Sequence, residues 1–424
     1  MKQKLKGYKG ITLIALIITI IVLLILAVVA ISAVKGDGII AHAKNAKKEY
    51  SEAQINETTT ISGYESYIED NKPGAVKKVE KNLDKVLSTK DNTPLIDKCG
   101  NKITVPAGFK IITKTDTENT DLNYTADTID VTKGIVVEDE EGNQFVWIPV
   151  GTIYTDIEKT EANAKTITLG RYSDFTKTNN AYTVAQNASD YGTQVKMSVF
   201  YSSNYTEDTT ATHNPDYKNS IAKNIGEFCT KALASGGYYI GRYEARVENY
   251  DASNISKSNS GNSTDWTGYV AESGKKLKLA SKANSQVWNY VTQNKASSLC
   301  QSMYTNKPFE SDLVNSYAWD TAIVFIQEFE NNTYSQTIGE AIDGKLSNKG
   351  SILKATKAVD KQCNIYDMAG NYMEWSTETY SEYSSSCTRR GGVDYDSHMY
   401  TSIRCGYHHN NATDVHSFRP VLYM

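Results

Sequence analysis

The pattern of apolar and polar positions divides the chain into a short apolar beginning and a long mixed remainder. Residues 11–34 carry no charge and are almost entirely aliphatic. At the rise of an α-helix this run would extend roughly 36 Å, enough to cross the hydrocarbon core of a bilayer. The pattern therefore predicts a transmembrane helix over Ile11–Val34, continued by an amphipathic stalk that ends near Pro73 and Gly74.

Strand patterns begin after this stalk. Ala75–Asp97 is charged and weakly periodic, which indicates a spacer, and from Cys99 short apolar runs alternate with turn residues. Two such runs flank the tripeptide Glu-Gly-Asn at residues 141–143, which predicts a hairpin. The second run, Phe145–Val150, is apolar on both faces and predicts a buried strand.

The remaining segments predict a mixture of elements. Gly236–Glu248 predicts a further strand, and apolar residues at helical spacing predict two helices, one around Trp319 and one within residues 287–304. Tyr172–Asn224 is rich in Thr, Asn, Ser and Tyr, which indicates long surface loops. These elements predict a loop-rich α+β domain.

Composition narrows the classes of partner. The 424 residues have a formal net charge of −4, a charged fraction of 22% and a mean hydropathy of −0.47. These values disfavour collagen-like, low-complexity and strongly basic classes. Because a mildly acidic chain is a poor match for a phosphate backbone, we expect no nucleic-acid partner.

The N-terminal motif carries a family resemblance. Four lysines precede Gly10, and Ile11-Thr-Leu opens the apolar run. This order resembles a type IV prepilin, which implies a leader over residues 1–10 cut after Gly10 by a prepilin peptidase, a methylated Ile11, and a pilin-like helix and stalk over residues 11–70. The chain departs from the family at Ala15, where pilins usually carry a Glu that aligns the incoming subunit. A plain single-span anchor is the alternative.

A second resemblance covers residues 99–424, after a linker at 71–98. The motifs FVWIPVG, GGYYIGRYEAR, CNIYDMAGNYMEWSTE, RRGG and FRPVLYM stand in this order. They resemble the formylglycine-generating enzyme (sulfatase-modifying factor) family, which implies a C-type-lectin-like fold. The predicted fold class is thus α+β, with an N-terminal pilin-like transmembrane helix and stalk followed by a loop-rich C-type-lectin-like domain.

Several motif residues have physical roles that do not depend on the family. Trp147 and Trp375 are predicted to anchor the core. Arg419 lies in an otherwise apolar stretch and should be buried against a carboxylate or a carbonyl. Asn371 and Glu374 offer oxygens close together in a turn, where relatives hold a structural calcium ion; the alternative is that they only bind backbone groups.

Enzymatic chemistry is the minor alternative. The family's oxidase uses copper and two cysteines that follow the RGG motif, but this chain has only Cys405 there, and the expected partner position falls near Tyr400 and Thr401. A lone thiol can neither bind Cu(I) as a pair nor close a redox disulfide with its neighbour. The six cysteines could form disulfides or stay free, and spacing does not choose between these states.

The segment Val393–Ser417, named here the recognition segment, has the composition of a binding loop. It holds four of the six histidines, three tyrosines and no Lys, Glu, Gln or Trp, and residues of these types give amphipathic contact area at small entropic cost. It resembles the variable region of proteins diversified by diversity-generating retroelements. A solvated loop and a metal site are the alternatives. The predicted ligand-binding residues are Asp394, Tyr395, Asp396, His398, Tyr400, Tyr407, His408, His409, Asn410, Asn411, Asp414 and His416.

These observations predict a non-enzymatic, adhesin-like binding protein displayed at the cell surface, either membrane-anchored or incorporated in a pilus. A surface-tethered oxidase acting through Cys405 and a structural minor pilin are the alternatives. The expected partners are a membrane bound through Ile11–Val34, a prepilin peptidase, other pilin subunits and a protein or surface ligand. The sequence has no GxSxG, HExxH or P-loop motif, which favours binding over catalysis.

Overall fold

The computed structural model describes residues 17–26, 77–78, 85–115, 119–178, 180–190, 205–206, 225–258, 265–338, 360–380, 386–392 and 400–424. The chain divides into two compact units, Met1–Ala75 and Val76–Met424. The described part of the first unit is the helix α1 at residues 17–26. All the elements that follow belong to the second unit.

The strands of the second unit are short. In chain order they are β1 (Lys77–Lys78), β2 (Thr93–Ile96), β3 (Lys102–Val105), β4 (Lys110–Ile111), β5 (Val136–Glu138), β6 (Gln144–Pro149), β7 (Gly151–Tyr154), β8 (Ala164–Ile167), β9 (Gly170–Thr178), β10 (Ala181–Asn187), β11 (Tyr205–Thr206), β12 (Gly237–Gly241), β13 (Arg246–Glu248), β14 (Tyr250–Ile255), β15 (Tyr269–Ala271), β16 (Lys278–Ala280), β17 (Glu310–Leu313), β18 (Lys361–Gln362), β19 (Ile365–Tyr366), β20 (Met373–Tyr380), β21 (Ser386–Arg390), β22 (Arg404–His408), β23 (His416–Phe418) and β24 (Pro420–Tyr423).

Three helices accompany these strands: α2 (Ile225–Ser235), α3 (Gln293–Met303) and α4 (Ser316–Phe329). The N-termini of α3 and α4 are capped by the side chains of Thr292 and Asn315, which accept hydrogen bonds from the backbone N–H groups of Lys295 and Ala318. Such caps satisfy donors that the helix itself leaves unpaired.

The larger sheet has six strands in the order β17-β24-β12-β6-β5-β4. Its central strands β12 and β6 are antiparallel and fully registered, so that Tyr239 faces Trp147. Nearly every residue of α4 is buried in the same core. Helix α4 is therefore a central helix of the domain, enclosed by other elements on nearly all sides.

The second large sheet carries the C-terminal motifs. Strands β11, β20, β21 and β22 are antiparallel neighbours in that order, and β23 pairs with β20 in parallel. The RGG motif ends β21: Gly391 has a φ of +75°, and a Cβ built there would lie 2.6 Å from the carbonyl oxygen of Met368. Only glycine fits this turn without displacing backbone.

The prediction of an N-terminal transmembrane helix is wrong. The described residues of α1 are 17–26, and all ten of them are exposed. Among the described residues, no helix is long and apolar enough to cross a membrane. The pilin-like, transmembrane and membrane-anchored surface descriptions that depended on Ile11–Val34 are corrected by this finding. Gly10, Ile11 and the predicted stalk lie outside the described residues.

The predicted α+β fold class is also wrong, because the described residues form far more strands than helices. The described residues contain four α-helices among many short strands arranged in several small sheets. Part of the predicted loop Tyr172–Asn224 lies in the antiparallel pair β9 and β10. Thr and Tyr side chains favour a pleated strand, so a composition typical of loops is equally compatible with a hairpin.

Other predictions are confirmed. The hairpin at residues 141–143 joins β5 to β6, and Phe145–Pro149 is buried. The two predicted helices are α3 and α4, and Trp147 and Trp375 are fully buried.

The segment predicted as a linker, residues 71–98, contains a strand that the sequence did not indicate. Thr93–Ile96 forms β2, which pairs with β3.

Candidate functional site

The recognition segment is mounted on the sheet that carries the C-terminal motifs. Its described part runs from Tyr400 to Ser417 and contributes β22 and the first residues of β23. Strand β22 pairs with β21 across five residues, so that Arg389 faces Cys405 and Cys387 faces Tyr407. The described backbone of the segment is thus held at β22 and at β23 by sheet hydrogen bonds.

Contacts between aromatic rings connect β22 to β23. The ring of His416 lies 4.8 Å from the ring of Tyr407 and 4.9 Å from that of Trp375, both edge to face. The guanidinium of Arg389 lies over the Tyr407 ring at 4.0 Å from its centroid. Edge-to-face rings and a cation over a ring are both attractive arrangements. This group of four, named here the aromatic frame, is a rigid base for the segment.

The middle of the segment is tied to the N-terminal end of α3. The backbone N–H of Gln293 donates to the carbonyl of His409 at 3.0 Å, and that of Tyr290 donates to Thr413 at 2.9 Å. The side-chain amide of Asn289 donates to the carbonyl of Asp414 at 2.9 Å. Because these bonds use backbone carbonyls of the segment, they hold its path without using its side chains.

The predicted binding residues divide into three groups. His408 is exposed, while the half-exposed set is Tyr400, Tyr407, Asn410, Asn411 and Asp414. His409 and His416 are buried; His409 stacks on His408 with ring centroids 5.0 Å apart. The exposed and half-exposed side chains are the ones available to a ligand, whereas His416 belongs to the frame. Asp394, Tyr395, Asp396 and His398 lie outside the described residues.

Beneath β22 is a fully buried network of ions. Arg404 donates to both oxygens of Glu378 and pairs with Asp320, which also receives Arg390. Arg171 is the third cation, paired with Glu378. Burial raises the pKa of Glu378, but the three arginines outweigh burial and bring that pKa to about 2. The network stays charged at neutral pH and fixes the strand from below.

Of the two residues considered for calcium, Glu374 is held through both carboxylate oxygens and Asn371 through its amide nitrogen. Both oxygens of Glu374 accept hydrogen bonds from Arg419, at 2.6 to 3.1 Å, and the Asn371 amide donates to Glu244. Arg419 is fully buried and also donates to the carbonyls of Gly241 and Tyr366, at 2.8 Å each, as its sequence context predicts. The Oδ1 atom of Asn371 has no hydrogen-bond partner in the described part of the chain, so a calcium ion at Asn371 and Glu374 stays a prediction.

The cysteines and the other side chains that could bind a metal ion do not form a cluster among the described residues. All six cysteines are described and buried, and none of them forms a disulfide. In the part of the chain that the structure describes, no group of three or more His, Cys, Asp or Glu side chains is placed to hold a metal ion. Of the described histidines of the recognition segment, His408 is exposed, His409 is buried and stacks on His408, and His416 belongs to the aromatic frame.

A shallow hollow lies beside the first described residue of the segment. Its volume is about 240 Å³, and its lining comes from β9, the turn after α4 and the segment itself. Tyr400, Ser402 and Phe175 lie at this hollow, together with the exposed carboxylate of Asp174. The hollow extends the polar and aromatic surface of the segment toward β9.

Two kinds of residue were missed by reading the sequence. Arg389 was seen only as part of the RGG motif, although consecutive strand residues point to opposite faces. Because of this alternation, Arg390 lies in the buried ion network and Arg389 lies against the recognition segment. The alternation was the feature of the sequence that could have indicated the role of Arg389. The supporting role of Asn289 and Tyr290 depends on contacts more than 100 residues apart, and no local pattern indicates it.

Comparisons with known proteins add no family. No family model matches the chain, and no curated protein matches it. Among solved structures, a chain titled "Crystal Structure of CarF" aligns with 12% identity and a TM-score of 0.27, covering 44% of this chain and 87% of that chain. A TM-score this low supports no inference about fold or function.

Proposed function

We propose that this protein is a non-enzymatic binding protein whose ligand is recognised by the segment Tyr400–His416. The observation that carries the proposal is the combination of exposed polar and aromatic side chains with a rigid support. His408, Asn410 and Asn411 offer adaptable hydrogen-bonding groups, and Trp375, Arg389 and His416 of the aromatic frame are buried. Preorganised loops of this composition lose little conformational entropy when they bind.

The motif resemblance supports the same proposal. In proteins diversified by retroelements, the stretch between the RGG and FRPV motifs is the part that varies, and this chain resembles them there. The ligand class consistent with these side chains is a protein or peptide surface that offers hydrogen-bonding groups. The segment contributes no Lys and no Glu, so recognition would depend on shape and hydrogen bonds more than on strong charge.

A random peptide library displayed on phage provides a test without a known ligand. Peptides selected from such a library bind to the few surface patches of a protein that provide most of its binding energy. Peptides enriched on the full chain are synthesised, and their dissociation constants are measured for the wild type and for the triple variant His408→Ala, Asn410→Ala, Asn411→Ala. We expect at least about a tenfold loss of affinity, since each hot-spot side chain contributes over about 1 kcal/mol.

The matched control is the triple variant Ser253→Ala, Asn254→Ala, Ser273→Ala, which removes exposed polar side chains elsewhere. It should bind the peptides like the wild type. Equal binding by both variants would place the recognition surface outside the segment and refute the proposal. Copper-dependent oxidation of a cysteine-containing peptide that disappears in Cys405→Ser would instead support the oxidase.

A further inference from the structure

The hollow beside the recognition segment contains an exposed carboxylate, that of Asp174. Its Oδ1 accepts the backbone N–H of Thr176 at 2.8 Å. In the part of the chain that the structure describes, no cation forms an ion pair with Asp174, and the nearest lysine in sequence, Lys177, pairs with Glu328 instead. The charge of Asp174 and its second oxygen are therefore available at the hollow.

The arginine that lines the hollow has its donors engaged inside the protein. Arg404 is 1% exposed. Its Nε donates to Glu378, its Nη1 donates to the carbonyl of Tyr172 at 3.2 Å, and its Nη2 donates to Asp320. Among the described residues that line the hollow, Asp174 is thus the only exposed charged side chain.

Two aromatic side chains line the same hollow. Phe175 and Tyr400 are both half-exposed, and the ring of Phe175 stacks on that of Tyr172 with centroids 5.7 Å apart. Aromatic rings attract the cationic ends of lysine and arginine side chains. The volume of about 240 Å³ equals roughly eight water molecules at about 30 Å³ each. It suits one side chain better than a drug-sized ligand, whose pockets begin near 300 Å³.

We propose that the hollow is the subsite for one basic side chain, a lysine or an arginine, of a peptide or protein ligand. This inference rests on the binding function proposed above and names the chemistry of the ligand. The recognition segment contains three aspartates and no lysine, and its one arginine, Arg404, is buried. The segment therefore presents no exposed lysine or arginine that would repel a basic ligand.

The charged anchor comes from outside the segment. Because the segment has no Glu and no Lys, its hydrogen-bonding side chains discriminate weakly between charged ligands. Asp174 on β9 adds that discrimination at one end of the segment. Opposite charges that meet across an interface contribute more to specificity and association rate than to affinity. The hollow thus selects ligands in which a basic residue accompanies the part that the segment binds.

The peptides selected on the full chain provide the test. Those that lose binding in the triple variant His408→Ala, Asn410→Ala, Asn411→Ala should be enriched in lysine or arginine. Replacing that basic residue by glutamine in the synthetic peptide should weaken binding about threefold or more, as expected for a partly exposed ion pair. Asp174→Asn keeps the acceptor for the Thr176 N–H and should weaken binding by a similar factor.

A double-mutant cycle distinguishes a direct contact from an indirect effect. If the basic side chain meets Asp174, removing both partners should cost little more than removing either one, because the second change finds no partner left. Added salt should weaken binding by the wild type more than binding by Asp174→Asn, since salt screens exposed charges. Losses that add, with equal salt dependence of the two proteins, would show a purely structural effect and overturn the proposal.

Asp156→Asn is the matched control. Asp156 is exposed, and its Oδ1 accepts the N–H of Glu158 at 3.0 Å, the same kind of turn contact that Asp174 makes, but it does not line the hollow. This variant should bind like the wild type. Tyr400→Phe keeps the ring and should retain binding, whereas Tyr400→Ala should weaken it.

The inference and the proposed function fail on different results. Peptides that lose binding in the triple variant, but that lack an enriched basic residue or bind Asp174→Asn like the wild type, would overturn the subsite and leave the segment as the binding surface. Peptides that bind the triple variant like the wild type would refute the proposed function and this inference together.

Discussion

At the scale of the residue, the stability of this domain depends on how each buried charge is paired. Arg419 shows the rule: a cation in an apolar stretch of sequence is stable because Glu374 and two carbonyls surround it. The sequence predicted that Arg419 needs a partner, but not which one. Glu374 is 45 positions earlier in the chain, and only the parallel pairing of β20 with β23 brings the two together.

The first prediction concerns this pair. Arg419→Met should lower the free energy of unfolding by about 3 to 5 kcal/mol, because it leaves the Glu374 carboxylate buried and unpaired. The double variant Glu374→Gln, Arg419→Met should recover part of that loss, since it removes both charges. Urea unfolding monitored by tryptophan fluorescence measures each change. A double variant that is less stable than Arg419→Met would contradict this account of the pair.

The second prediction concerns Asp360. Burial raises its pKa to about 7, and the nearby carboxylate of Asp367 adds to the effect. The folded state therefore binds a proton that the unfolded state, with a pKa near 3.9, releases. The stability that Asp360 contributes is present at low pH and is lost as the pH rises from about 4 to about 7.

The variant Asp360→Asn isolates this contribution. Its free energy of unfolding should lack the decline that the wild type shows across that range, so the difference between the two proteins should change steadily from pH 4 to pH 7. Urea unfolding at several pH values gives that difference. A constant difference would mean that Asp360 has an ordinary pKa in the folded state.

At the scale of the element, local sequence patterns predicted the hairpin and the helices of the domain correctly. The hairpin between β5 and β6 and the helices α3 and α4 follow from turn residues and apolar periodicity alone. The pair β9 and β10 was missed because its polar side chains resemble those of a loop. The apolar run at residues 11–34 has the composition of a spanning helix, but no helix among the described residues is long and apolar enough to cross a membrane.

The third prediction tests the cap of α4. Asn315→Ala removes the acceptor for the Ala318 N–H, which lies 2.9 Å from Oδ1 in a fully buried environment. We expect the free energy of unfolding to fall by about 1 kcal/mol, within the usual range of roughly 0.5 to 2. Asn332→Ala, at an exposed position, is the control and should change stability by under about 0.5 kcal/mol. Equal effects of the two would contradict the capping role.

At the scale of the whole molecule, the recognition segment depends on contacts that no local pattern could indicate. Its composition marked it as a binding surface, but composition did not separate the residues that face a ligand from those that support the segment. His416 was grouped with the binding residues, yet it is buried between Trp375 and Tyr407. Arg389, seen in the sequence only as motif, proved to be the cation that joins the frame to Cys405.

The most direct measurement of the central claim is a substitution scan of residues 400–417 with two readouts on displayed protein. One readout is the amount of folded protein, and the other is binding of a peptide selected on the wild type. Substitutions of His408, Asn410, Asn411 and Asp414 should reduce binding while folding is retained, and substitutions of His416 should reduce both. Retained binding after substitution at these four positions, with binding-specific losses confined to other surfaces, would contradict the account.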